Sequence, residues 1–171
     1  RKLDITGGGR CNITNAEFDT KKLLTIYGNA APFLYSPFSQ FSVQDTFDFF
    51  ESRGMPLVVQ ALKRAFPKTE KATDVTNLLK AELEKLGVEV RAQTNVKKLI
   101  RDGNTITGVE TTKGTFTGTS YILATGGLSH PETGATGDGF LFLKDLGHTV
   151  KDPTPSIVPL SVSDEWVHKL A

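Results

Sequence analysis

Cysteine is almost absent from this sequence. The single thiol, Cys11, excludes an internal disulfide framework and a cysteine-cluster metal site. Charge of one sign is missing too: 20 Lys and Arg stand against 19 Asp and Glu. No basic stripe interleaved with aromatics occurs, so a nucleic-acid partner is not expected. No apolar run is long enough to span a bilayer, and no charged-then-apolar leader opens the chain. No membrane partner is expected either, and a reducing cytoplasm is the expected setting. His130, His148 and His168 lie far apart without ligand spacing, which gives no reason to expect a metal. No internal repeat is present. An initiator methionine is lacking as well, and both ends read as cut from a longer protein.

What is present suits a folded domain. The chain has 171 residues, 38% hydrophobic and 23% charged, enough apolar material for a core and too little charge bias for disorder. Residues 1–40 are rich in Gly, Asn, Ser and Pro and read as a long irregular loop with short helical pieces. Phe18, Tyr27, Phe33, Tyr35, Phe38 and Phe41 argue that this loop is packed. Ser42 with Asp45 resembles a capping box, followed by Val43, Phe47 and Phe50 at helical spacing and a stop at Gly54. Met55–Gln60 is a short apolar segment with strand character. Asp74 caps the clearest helix, which runs to Leu86 and stops at Gly87. Its stripe is Val75, Leu78, Leu79, Leu83 and Leu86, with Lys80, Glu82, Glu84 and Lys85 facing water.

Strand signals follow. Val88–Val90 is short and β-rich. Residues 96–100 and 105–111 flank the hairpin turn Asp102-Gly103-Asn104, and 115–117 follows a second turn at Lys113-Gly114. Together they predict an antiparallel meander. Tyr121-Ile122-Leu123-Ala124, ending at Gly126-Gly127, has the pattern of a buried parallel strand. Asp138 opens a last helix, closed by Gly147, and His148 reads as its C-terminal residue. Pro153, Pro155 and Pro159 mark a connection leaving the unit. Helix, strand, meander, buried strand and helix in this order describe half of a nucleotide fold with an antiparallel insertion. The expected class is α/β: a partial Rossmann-like FAD-binding domain of the glutathione-reductase type. Residues 1–152 form that domain, and 153–171 lead into a further domain.

Four motifs carry candidate chemistry. Gly7-Gly8-Gly9-Arg10-Cys11-Asn12 leaves a backbone without Cβ atoms, open to a flat ring or a phosphate. Arg10 could add charge for a diphosphate, and Asn12 a hydrogen bond; the alternative is a glycine-rich turn with no ligand. Ala124-Thr125-Gly126-Gly127 stands at the carboxyl end of the predicted parallel strand, where open α/β sheets bind ligands. In Thr136-Gly137-Asp138-Gly139 two roles compete for Asp138, a plain helix cap and an acceptor for ribityl or ribose hydroxyls. Thr94-Asn95-Val96 opens the meander, and its strand edge could pair with an adenine. Cys11 is either a lone thiolate beside Arg10 or core packing. A dithiol relay within the chain is excluded, because Ala16 stands where a second cysteine would. His130 either faces a cofactor or is a solvent-exposed loop residue.

The run Lys2-Leu3-Asp4-Ile5-Thr6 followed by Gly7–Asn12 and Ile13-Thr14-Asn15 resembles the signature of BaiN/RdsA-type (YhiN-like) bacterial flavoproteins, NAD(P)/FAD-dependent oxidoreductases. That signature usually has Ser where Thr6 stands. The resemblance continues through Phe66-Pro67, Lys71-Ala72, residues 121–127 and 134–139, Leu146-Gly147-His148 and Val158-Pro159-Leu160; Leu57 to Leu62 diverges. It implies an FAD cofactor, NAD(P)H as reductant and a small-molecule substrate. It implies that the glycine loop and Asn12 lie along flavin and diphosphate. Val96 would pair with adenine, Ala124, Thr125 and Gly126 would line FAD, and Asp138 would bond to it. Lys2, Thr6, Cys11 and Gly127 complete the candidate set, and no residue stands out as catalytic acid or base. The resemblance also implies a first βαβ strand, a GxGxxG turn and an acidic ribose ligand upstream of Arg1, an inserted substrate-side domain, and a return to the FAD domain after Ala171.

Overall fold

The computed structural model describes residues 2–154. The chain forms two compact units, one of residues 2–95 with Ser129–Gly134, the other of Val96–Leu128 with 135–154. The expected connection at 153–171 lies almost wholly outside the described residues.

The first unit opens with α1 (Lys2–Gly9), whose last residues leave helical geometry, and β1 (Thr14–Asn15). The region read as irregular holds two further helices, α2 (Thr20–Thr25) and α3 (Ala31–Gln40). Asp19 caps α2 by accepting from the Lys21 and Lys22 amides, and Pro32 suits the start of α3. The aromatics here are less packed than expected. Phe38 and the buried Leu23 reach the core, but Phe18, Tyr27, Tyr35 and Phe41 are exposed and Phe33 is 81% so. On a short helix only one stripe can face the core, and Phe18, which precedes α2, still rests on the buried Phe47 with ring centroids 5.3 Å apart.

Ser42 starts α4 (Val43–Glu51) as expected. Its hydroxyl accepts from the Asp45 amide at 3.2 Å, and its own amide donates to Asp45 Oδ2 at 2.7 Å. Val43, Phe47 and Phe50 are buried, at the spacing that marked them. β2 (Leu57–Gln60) and β3 (Arg64–Pro67) form a hairpin, and β1 joins the other edge of β3 to give the antiparallel order β1-β3-β2.

Helix α5 (Ala72–Lys85) begins two residues earlier than expected. Lys71 is its cap residue, with no side-chain cap bond, and Asp74 sits in the first turn, where a carboxylate still complements the helix dipole. Ala72 and Val75 are buried and Leu78 and Leu79 partly so, whereas Leu83 and Leu86 are exposed; cover ends at the second turn. Glu82 does not simply face water, because Arg53 Nε bonds its carboxylate at 2.8 Å while stacking on Phe49. Gly87 ends the helix in left-handed geometry, with the Gly87 and Val88 amides closing on Glu84 and Leu83. Val88–Val90 is not a strand. Both valines are exposed, and no strand edge pairs with them among the described residues.

In the second unit the meander forms as expected. β4 (Val96–Asp102), β5 (Thr105–Thr111) and β6 (Gly114–Phe116) pair antiparallel in sequence order. Helix α6 (Asp138–Asp145) ends at Gly147, with the His148 amide bonded to the Leu143 carbonyl. The largest departure is Tyr121–Ala124. It is neither a strand nor buried, and Ile122 is 93% exposed. A parallel strand is held by neighbours on its edges and by layers on both faces, and no strand among the described residues pairs with this one.

Ser42→Ala removes one cap acceptor and is expected to destabilise the first unit by about 1 kcal/mol in urea unfolding at pH 7. The Asp45 carboxyl is held below its ordinary range, first by the Ser42 hydroxyl. A lowered folded-state pKa stabilises above the unfolded value of about 3.9 and is lost as pH falls through the folded one. Asp45→Asn should therefore cost stability at neutral pH and progressively less on acidification.

Candidate functional site

The two ends of the chemistry read from sequence fall in different units. In the first, α1 is helical only to Ile5. Thr6 turns extended (ψ 145°), and its hydroxyl donates to the Leu3 carbonyl at 2.8 Å. Gly7 (φ 57°, ψ 32°) and Gly8 (φ 66°, ψ 38°) are then left-handed. At Gly7 glycine is required twice over, since a Cβ would also stand 2.9 Å from the Asn12 amide nitrogen and 3.2 Å from the Phe66 ring. At Gly8 only the conformation demands it, and nothing lies within 4 Å of the position a Cβ would take. The Cys11 amide closes the turn on the Thr6 carbonyl at 2.9 Å.

Cys11 itself is 3% exposed and packs in a core cluster with Phe50, Met55, Ala72 and Val75. Asn12 is exposed, with its side-chain amide nitrogen facing the Thr14 and Ala65 carbonyls at 3.2 Å. Arg10 is turned onto its own chain, with its guanidinium 4.5 Å above the Phe66 ring. Lys2 Nζ donates to the Ser129 carbonyl, which ties the 129–134 loop to α1. In that loop His130 Nδ1 meets Glu132 Oε1 at 2.8 Å, with both side chains exposed. The Glu132 carboxyl is held below its ordinary range by its own backbone amide and then by His130. Nearby Asp4 is lowered by the Thr76 hydroxyl, which donates to it at 2.7 Å.

In the second unit Thr125 and the start of α6 come together. Val96, Ala124 and Thr125 line one largely apolar groove of about 280 Å³ with Tyr121, Phe142 and Leu146. The Gly139 backbone rests on Thr125 so closely that a Cβ there would meet Thr125 Oγ1 at 2.2 Å. Gly126 is exposed in left-handed geometry, and Gly127 is half-buried. Asp138 is not the helix cap. Gly137 holds that position in left-handed geometry without a side-chain cap bond, and Asp138 is the first helical residue. Its carboxylate is exposed and takes no hydrogen bond or ion pair among the described residues.

Sequence reasoning missed Gln60 and Glu70, which meet the Arg10 guanidinium from residues far along the chain. No local pattern marks such a pairing. Gly139 was read as part of a helix-start motif, and its contact with Thr125 follows only from packing.

Chains similar to this one include three from bacteria. It is 28% identical over 171 residues, all of its length, to the 3-dehydro-bile acid delta(4,6)-reductase of Clostridium scindens. It is 28% identical over 166 residues to the ribosomal RNA dihydrouridine synthase of Haemophilus influenzae, which covers 94% of this chain. To the Escherichia coli protein of the same name it is 26% identical over 170 residues, 99% of this chain. The chain spans about two fifths of the length of these relatives, 41%, 40% and 41%. Residues 1–164 match the family model described as the HI0933-like protein Rossmann domain, and the chain belongs to that family.

Proposed function

We propose that this chain is the FAD-binding portion of a flavin-dependent oxidoreductase reduced by NAD(P)H, acting on a small molecule. The observation that carries the reading is the junction of Thr125 with the first turn of α6. There a carboxylate with no cap duty, Asp138, stands at a helix start without a partner among the described residues, next to Gly139, whose backbone rests on Thr125 of a groove that Val96 and Ala124 also line. A carboxylate that is neither capping nor paired suits the hydroxyls of a ribityl or ribose group. The residues also fit a nucleotide in their lack of bulk: Gly8 has open space on its Cβ side, and Gly126 is exposed.

FAD would supply the hydride chemistry, and the protein position and electrostatics. Gly7, Gly8 and Gly9 would let flavin or diphosphate approach bare backbone, flanked by Lys2, Thr6 and Asn12. Val96 begins β4, an edge strand among the described residues, and would offer backbone groups to adenine. Ala124, Thr125, Gly126 and Gly127 would form the wall under the cofactor. Cys11, at 3% exposure, would support the loop from within the core. The relatives' names, a reductase and a dihydrouridine synthase, support a reductive direction. The chain falls within one domain of the whole protein in this reading, with 153–171 leading onward, and a cytoplasmic setting is proposed with it. No helix among the described residues is long and apolar enough to cross a membrane.

A second reading, an RNA-associated flavoprotein, has two supports. Two relatives are named for ribosomal RNA, and Tyr27, Phe33 and Tyr35 expose rings on which bases could stack. The near balance of 20 basic and 19 acidic residues weighs against it.

The full-length protein should purify yellow, with bands at roughly 370 and 450 nm, as flavin cofactors show. A colourless folded protein would sink the reading. Anaerobic bleaching by NADH against NADPH identifies the donor. Asp138→Ala should weaken FAD retention by about tenfold, the scale of a charge-assisted hydrogen bond, with little change in Tm. Undiminished retention would leave Asp138 with a helix-dipole role only.

A further inference from the structure

Arg10 follows the three glycines directly, and although its side chain is 38% exposed, its guanidinium contacts Gly7, Gln60, Glu70 and Phe66 of this chain. Nε donates to the Gly7 carbonyl at 3.3 Å. Nη1 donates to Gln60 Oε1 at 3.2 Å and lies 3.9 Å from Glu70 Oε2. Gln60 in turn donates its amide nitrogen to Glu70, so glutamine and glutamate act together. The guanidinium carbon stands 4.5 Å from the centroid of Phe66, the ring that a Cβ on Gly7 would meet. Arg10, Gly7 and Phe66 are thus one packed unit, joined through Gln60 to the end of β2.

We propose that Arg10 is a positioning residue. It fixes the Gly7–Gly9 loop for the flavin nucleotide by bridging that loop to Gln60 and Glu70, rather than neutralising a phosphate itself. The inference rests on the FAD reading above. Its physical ground is the loop's freedom. Consecutive glycines in left-handed geometry lose more conformational entropy on ordering than any other residues. If only a fraction of molecules hold the competent loop, cofactor affinity falls by that fraction. A planar guanidinium with several donors can hold a carbonyl, an amide oxygen and an aromatic face at once, which an ammonium cannot. Reaching for a phosphate would give up the Phe66 stack and the Gly7 bond. It would also separate Arg10 from Glu70, the carboxylate that already compensates its charge.

The test uses the full-length protein, with FAD stripped and added back, comparing wild type with Arg10→Ala, Arg10→Lys and Glu70→Gln. Glu70 is 43% exposed, so its isosteric replacement should leave the fold intact. The expected result is that Arg10→Ala and Arg10→Lys bind FAD about tenfold more weakly, the weight of one charge-assisted hydrogen bond, and Glu70→Gln about threefold, because its 3.9 Å pair with Arg10 is partly exposed. The salt dependence of binding should stay that of the wild type, and Tm should change little in Glu70→Gln. If Glu70→Gln binds FAD as tightly as wild type or more tightly, or if Arg10→Lys retains full affinity, Arg10 acts through charge on the phosphate and the proposal fails. If only Tm falls while affinity holds, Arg10 is merely structural and the proposal fails. Wild-type protein that takes up no FAD would overturn the cofactor reading itself, an outcome separable from the other two.

Discussion

The first unit is organised around the place where backbone at Gly7 lies against the Phe66 ring. A Cβ on Gly7 would be 3.2 Å from that ring and 2.9 Å from the Asn12 nitrogen, so the turn exists only because the side chain is absent. Phe66, 1% exposed, is in turn held on β3, the central strand of its sheet. The same ring carries Arg10 on its face. From this contact follow the break in α1 after Ile5, the burial of Cys11 under the turn, and the pairing of Ile13 with Ala65 at 2.8 Å that leads into β1.

The second unit repeats the device with different partners. Gly139 allows the start of α6 to sit on Thr125, and Gly137 lies against Leu128, where a Cβ would meet the side chain at 2.5 Å. In both units glycine is used for close approach between segments distant in sequence, and in both the neighbouring polar residue is left in a distinctive state. Arg10 is engaged by Gly7, Gln60 and Phe66, and Asp138 takes no partner among the described residues. That contrast is the ground on which different roles are proposed for the two side chains. The groove beside Thr125 is largely apolar, which is what the proposed flavin site would require of its wall.

Helix signals were legible wherever a helix carried its own punctuation. Ser42 with Asp45 and the glycines at 87 and 147 act through atoms within a few residues, so their effect is written locally. The hairpin around Gly103 was legible for the same reason. Asp74 and Asp138 misled because an acidic residue near a helix start serves equally as cap or as first-turn charge, and only backbone geometry separates the two. The aromatic run in 18–41 misled because apolar composition asks for cover but does not say that a neighbour supplies it.

By itself, the sequence determined the local conformational demands: where left-handed backbone is needed, where helices stop, which faces of α4 are apolar, and the family to which the motifs point. Tertiary structure alone decided which distant groups meet. Arg10 finds Gln60 and Glu70 because a β-hairpin returns them to the loop, and Thr125 finds Gly139 because backbones can touch there. It also decided that Tyr121–Ala124 stands unpaired, since β-pairing is a property of two edges and one segment's pattern describes only its own. Local propensity acts over a few residues, whereas contacts across fifty are set by the packing of whole elements.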